Sequence, residues 1–197
     1  MTQYTIQSFD YNEAGFSIRR DIATLLDLVW PDTDAPTSSQ TKPPVSHRAE
    51  LSARSFCCYS NHLLVGYAAV VYNEIFHCGH RFIMAGLSCV ATHPNDRGCG
   101  IGHSVVSAAT QYIAQQENID IGIFTCHPAL AAFYEKAGAW ETCTNVILLG
   151  SHEVGALSSE ALDVVVLMRL FSEKAQTHKA LFCKEPISLD FPVGEFL

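Results

Sequence analysis

The stretch His93-Pro94-Asn95-Asp96-Arg97-Gly98-Cys99-Gly100-Ile101-Gly102 constrains this chain more than any other. It follows an apolar run, Arg81 to Thr92. It precedes a segment in which Ile101, Val105, Ala108, Ala109, Tyr112 and Ile113 fall on one helical face. The junction therefore reads strand, glycine loop, helix. Its glycines let the backbone turn tightly and point successive N–H groups into one hollow. The helix behind adds the positive end of its dipole, and Arg97 adds a full charge. Such a loop suits a phosphate or diphosphate. The P-loop pattern does not fit, because His103 rather than lysine follows the last glycine. The dinucleotide fingerprint opens a parallel unit, with an acidic residue about 20 positions on. Here the loop closes a run of antiparallel strands.

That run is legible from turn residues. Ser55 to Tyr59, Leu63 to Ile75 and Arg81 to Thr92 read as strands joined by Asn61-His62 and Cys78-Gly79-His80. Before them, residues 4 to 9 form a first strand, and Ile18, Ile22, Leu25, Leu26 and Val29 mark a helix stopped by Pro31. Residues 31–47 carry four prolines and read as a long loop, of a length that suits a lid. After the glycine loop come a helix over Gly100 to Gln116, a strand over Ile119 to Thr125 and a helix over Pro128 to Ala137, stopped by Gly138. Two further strands, Trp140 to Leu149 and Leu162 to Leu170, precede a tail, 171–197. The order β-α-β-β-β-α-β-α-β-β gives an α+β fold: a mixed, mostly antiparallel twisted sheet with helices on its faces. One domain over 1–197 is the expectation, with the Pro-rich loop and the tail as appendages.

Composition narrows the function classes. Twelve Lys+Arg against twenty Asp+Glu give a net charge of -8, so general nucleic-acid binding is disfavoured. A cationic small partner is compatible with that balance. No apolar run reaches membrane-spanning length and no signal peptide is visible, so a cytoplasmic protein with no membrane partner is expected. The eight cysteines contain no C-x-x-C pair and read as reduced thiols. His77-Cys78-x-His80 and Cys126-His127 could ligate zinc, but neither repeats at finger-like spacing, and no metal is expected.

Two motifs carry a family resemblance. Arg97-Gly98-Cys99-Gly100-Ile101-Gly102 resembles motif A of the GCN5-related N-acetyltransferases, the GNAT superfamily. Ala131-Ala132-Phe133-Tyr134-Glu135-Lys136-Ala137-Gly138-Ala139-Trp140 resembles their motif B. The likeness covers residues 50 to 150 well. It implies the GNAT fold and acetyl-CoA as cosubstrate. The backbone of Val90, Ala91 and Thr92 would pair with the pantetheine arm. Arg97, Gly98, Cys99, Gly100, Ile101 and Gly102 would wrap the diphosphate, with Phe133 and Lys136 packed near the cofactor. Tyr134 would protonate the departing thiolate, a task within a phenol's reach. Many members place a glutamate base on the strand before the loop. The matching position here is Ser88, which can hold a water but cannot act as a base alone. Glu74, His80 and His93 are the nearest alternatives.

The acceptor side is read from weaker likenesses. The end Asp190-Phe191-Pro192-Val193-Gly194-Glu195-Phe196-Leu197 is similar to the acidic tail of aminoglycoside 2'-N-acetyltransferases. Gly100 to Ser104 and Asp163 to Leu167 are similar to stretches of the nodulation N-acyltransferases, which use a longer acyl donor. Both imply a small-molecule amine on a sugar as the acceptor, with Cys89, Cys126 and Glu195 as candidate substrate contacts; a homodimer is the one macromolecular partner considered. A solvated terminus is the alternative reading of the tail acids. An acyl-cysteine scheme through Cys99 or Cys126 lacks an adjacent base. A non-catalytic acyl-CoA sensor is the remaining alternative, since no carboxylate lies between Arg81 and Asn95.

Overall fold

The computed structural model describes residues 3–31 and 45–197, so most of the Pro-rich loop lies outside the described residues. In chain order the elements are β1 (Tyr4–Asp10), α1 (Phe16–Val29), β2 (Arg54–Ser60), β3 (Leu63–His77), β4 (His80–Thr92) and α2 (Ile101–Ala114). They continue with β5 (Ile121–Cys126), α3 (Ala131–Gly138), β6 (Glu141–Cys143), β7 (Leu148–Leu149), β8 (Val165–Leu170), α4 (Glu173–Thr177) and β9 (Ile187–Ser188). Seven strands form one sheet in the order β1-β2-β3-β4-β5-β8-β6, and β7 pairs with β9 in a second. The recorded ladders of the large sheet are antiparallel except β4 with β5. This is the mixed, mostly antiparallel α+β sheet with flanking helices expected from the order of elements. The chain divides into two compact units, residues 1–71 with 89–109 and residues 72–88 with 110–197.

In the first unit β1 lies along β2, from Tyr4 opposite Ser60 to Asp10 opposite Arg54. The helix α1 buries Ile22 and Leu25. The start of α2 seats Ile101 and Val105 on Cys58, Val65 and Ala68. Gly66, near the start of β3, makes that seat possible: a Cβ there would lie 2.3 Å from Ile101 Cγ2 and 3.3 Å from Cys58 Cβ. Packing at this density leaves no room for a methyl. A polar cluster closes the unit's other side. The His47 ring lies 2.9 Å from the Tyr67 hydroxyl, which lies 3.0 Å from Ser55 Oγ, and Tyr11 meets His47 edge-on. His47 thus anchors the described end of the Pro-rich loop.

In the second unit β5 pairs along its whole length with β8, from Ile121 opposite Leu170 to Cys126 opposite Val165. Trp140 is its largest fully buried side chain. It stands edge-on to Phe124 at 4.8 Å and donates Nε1–H to Thr110 Oγ1 at 2.9 Å. Gly122 and Gly138 clear its volume, since a Cβ on either would lie within 2.6 Å of the indole. Asp120 ties three elements together. Its carboxylate accepts from the Ile83 N–H in β4 (2.9 Å), and from Ser172 Oγ (2.6 Å) and Lys174 Nζ (2.8 Å) at α4.

Three expectations need correction here. The strand expected over Trp140 to Leu149 is two short strands, β6 and β7, in different sheets; Trp140 turns inward and a turn at Thr144-Asn145 breaks the run. The helix α3 includes Gly138, and the left-handed cap falls on Ala139 at φ 52°; Gly138 is small for Trp140, not for its φ. The tail is not a solvated appendage. Phe182, Ile187, Leu189 and Phe191 are buried, and the Leu189 and Phe191 N–H groups bond to the carbonyls of Leu149 and Gly150, each at 2.8 Å.

Candidate active site

Each unit carries one part of the expected chemistry. In the first, β4 ends with Val90, Ala91 and Thr92, and the His93 N–H bonds to the Val65 carbonyl at 2.9 Å, which fixes where the strand stops. A single helical turn, Pro94–Asp96, follows. Then Gly98 and Gly100 both adopt left-handed backbone, φ 80° and 79°, with nothing within 4 Å of a Cβ on either. These glycines are needed for their torsions, which side-chain-bearing residues reach only at a cost. The first helical bond of α2 runs from the Ser104 N–H to the Gly100 carbonyl at 3.0 Å. The N–H groups of Ile101, Gly102 and His103 therefore precede the helical ladder and are available to an anion. Arg97 and Cys99 are exposed beside them, whereas Ile101 is buried beneath. Cys99 and Ile101, with Tyr4, Ile6, Cys58 and Ser104, line a small pocket of about 100 Å³. An open loop of N–H donors over a rigid hydrophobic seat fits a diphosphate.

Cys89, within β4, takes a left-handed φ of 52°. That conformation is uncommon for a cysteine and marks a local irregularity within the strand. Ser88 beside it is half-buried.

In the second unit α3 presents Tyr134, 6% exposed, whose ring meets Phe124 and Phe133 edge-on, both at 5.0 Å. Burial first, and the Cys126 thiol second, push its phenol well above the ordinary tyrosine range. Tyr134 therefore holds its proton at neutral pH. Cys126, the last residue of β5, is buried, and that burial pushes its thiol up to about 11. A protonated thiol is a poor nucleophile, which argues against an acyl-cysteine there. Phe133 is half-buried and Lys136 exposed. Glu195 is partly exposed behind a turn in which its N–H bonds to the Pro192 carbonyl at 3.0 Å.

Each of the alternative bases has a neighbour of its own. Glu74 is exposed and pairs with Arg81 at 3.3 Å, His80 lies against His178 with ring centroids 4.1 Å apart, and His93 Nδ1 faces Asp96 at 3.2 Å. Among the described residues no group of three or more His, Cys, Asp or Glu is placed to hold a metal ion, and no helix is long and apolar enough to cross a membrane. Sequence reasoning missed Gly66, Gly86 and Thr125. A glycine inside an apolar strand was the available signal for the first two; nothing marked Thr125.

Comparison with known proteins agrees with this geometry. The family model described as acetyltransferase (GNAT) domain matches residues 12–143. No curated protein matches the chain in sequence. Among solved structures, an acyl-CoA N-acyltransferase from Pseudomonas aeruginosa superimposes with a TM-score of 0.57 at 12% identity, covering 85% of this chain and 99% of that one. Escherichia coli ElaA gives 0.54 at 14% identity over 85% and 99%. A protein of unknown function from Enterococcus faecalis V583 gives 0.53 at 17% identity; the match covers 72% of this chain but only 33% of that longer one. At these identities the structures share the fold.

Proposed function

The chain belongs to the acetyltransferase (GNAT) domain family and is an acyl-CoA-dependent N-acyltransferase; we propose that it acetylates a primary amine of a small, polar, cationic acceptor, such as an aminoglycoside or amino sugar, by direct attack. The observation that carries this reading is the glycine loop. Two left-handed glycines open a hollow ahead of α2, as a diphosphate requires. Acetyl-CoA supplies the acetyl group as a reactive thioester. Arg97 and the N–H groups of the 98–102 loop hold its diphosphate. The backbone of Val90, Ala91 and Thr92 receives its pantetheine arm, and Phe133 and Lys136 pack near it. Tyr134 Oη gives its proton to the leaving sulfur. Since the strand has no carboxylate from Arg81 to Asn95, a water held by Ser88 passes the amine's proton on to solvent, and solvent returns a proton to Tyr134. Cys89, Cys126 and Glu195 face the acceptor, and Glu195 with the chain's acidic balance favours a cation. One acyltransferase domain accounts for the whole chain in this reading. Direct attack is favoured over an acyl-cysteine because the Cys126 thiol stays protonated near neutral pH.

Release of free coenzyme A from acetyl-CoA tests the reading, with aminoglycosides, amino sugars, polyamines and amino acids as acceptors and an enzyme-only blank for the native thiols. Turnover with aminoglycosides bearing a 2'-amine, and none with their 2'-hydroxyl counterparts, is the expected pattern. Acetyl-CoA binding by calorimetry without turnover on any amine would favour a sensor or a longer acyl donor.

A further inference from the structure

The second unit contains an opening whose occupant belongs to the chain itself. The recorded parallel pairing of β4 with β5 places Met84 opposite Ile121 and Ala85 opposite Gly122. Three residues further along β5, Thr125 gives its backbone N–H, at 3.2 Å, and its hydroxyl to the Leu197 carbonyl oxygen. On the other side, the Leu197 side chain reaches β4. A Cβ on Gly86 would lie 2.4 Å from Leu197 Cδ1 and 2.7 Å from the Ile123 carbonyl oxygen. Gly86 is not left-handed, so what it provides is space. Leu197 therefore spans from β5 to β4 where the two parallel strands part. Ligands of open α/β sheets bind where the carboxyl ends of parallel strands separate.

The seat is built rather than incidental. Leu189 and Phe191 are buried, and Asn73 Nδ2 donates to the Leu189 carbonyl at 2.7 Å. A Cβ on Gly150 would lie 2.6 Å from the Glu195 carbonyl oxygen, so a second glycine makes room for the segment. The last six residues are thus held at both ends, by the buried Phe191 and by Thr125.

We infer that Leu197 sets how bulky an acceptor amine can be, by filling the acceptor side of the opening between β4 and β5. The inference rests on the N-acyltransferase reading above. An aliphatic side chain sorts by size and not by charge, so it complements the electrostatic selection assigned to Glu195. Ser88, two residues along β4 from Gly86, carries the water that takes the amine's proton. A narrowed opening there acts on the attacking amine and leaves the thioester's own binding alone.

Two measurements test this. The first is kcat/KM for a slim linear diamine and for a bulky amino sugar, with the wild type, Leu197→Ala and Thr125→Val. Leu197→Ala is expected to shift the ratio of the two by about tenfold or more towards the bulky amine, with the KM for acetyl-CoA unchanged. Thr125→Val, which keeps the side-chain shape but loses the hydroxyl anchor, is expected to shift it the same way by less. An unchanged ratio, or an equal change in both amines, would overturn the inference. The second is hydrogen exchange at the Thr125 amide, in the wild type and in a chain lacking residues 195–197. Slow exchange in the first and fast in the second is expected; fast exchange in both would overturn the seating of Leu197 whatever the activity. If no variant releases coenzyme A with any amine, the inference falls with the N-acyltransferase reading, and slow Thr125 exchange would place the failure in that reading rather than in the seat.

Discussion

The surroundings of the Tyr134 hydroxyl set its protonation. Burial between Phe124 and Phe133 keeps the phenol protonated, and the proposed mechanism uses that proton. Replacing Tyr134 with phenylalanine keeps the ring contacts and removes only the hydroxyl. Tyr134→Phe is expected to lower kcat by roughly 10²–10⁴ and to leave acetyl-CoA affinity, measured by calorimetry, nearly intact. A wild-type kcat would remove Tyr134 from the mechanism. Gly98 sits at the same scale with the opposite logic. Its surroundings are empty and its φ is 80°, so Gly98→Ala costs about 1–2 kcal/mol in backbone strain alone. The expected result is an acetyl-CoA Kd raised by up to about tenfold, with kcat at saturation little changed. An unaltered Kd would mean that the loop does not need this torsion to hold its ligand.

Elements are positioned by glycines whose missing side chains belong to a neighbour. Gly66 admits Ile101 and so fixes where α2 starts. Gly66→Ala is expected to destabilise by about 1–3 kcal/mol, as overpacking does, and to weaken acetyl-CoA binding because the loop hangs from the displaced helix. A urea midpoint and a calorimetric titration of the same variant check both. Loss of stability with unchanged affinity would uncouple the seat from the loop. The same packing explains what could be read in the sequence. Strand β3 and the helix α2 were legible because their apolar periods are long and their ends carry turn residues. The glycine loop was legible because its torsions demand glycine at two nearby positions, Gly98 and Gly100. The break between β6 and β7 was not, because the run from Trp140 to Leu149 has strand-like composition and the turn at Thr144-Asn145 that parts it carries neither glycine nor proline. The docking of the tail was hidden for a related reason. Its anchors, Gly86, Thr125 and Gly150, lie far away in sequence, and none forms a motif with Leu197.

At the scale of the whole molecule, His47 in the first unit and Asp120 in the second both tie stability to acid pH. His47 is 6% exposed, and burial lowers its pKa from the ordinary 6.5 to about 4. Between those values the unfolded chain binds a proton that the folded chain refuses, so stability falls as the pH drops through that window. The loss amounts to about 3 kcal/mol once the pH is below the folded value. Asp120 acts lower on the scale. Burial alone would raise its carboxyl, but Lys174, Ser172 and the Ile83 N–H outweigh it and hold the carboxyl below the usual carboxylate range. Its contribution is present above the ordinary carboxylate pKa and is lost as the pH falls through the lowered one. The two effects therefore add on the acid side. Urea midpoints at about pH 7, 5.5 and 4 are expected to fall steadily in the wild type. His47→Gln, which can keep a bond to Tyr67 without titrating, should flatten the fall between about pH 6.5 and 4. Asp120→Asn should lower the midpoint at pH 7 and flatten the slope only towards pH 4. A His47→Gln variant that tracks the wild type from pH 7 to 4 would show that another group drives the acid loss.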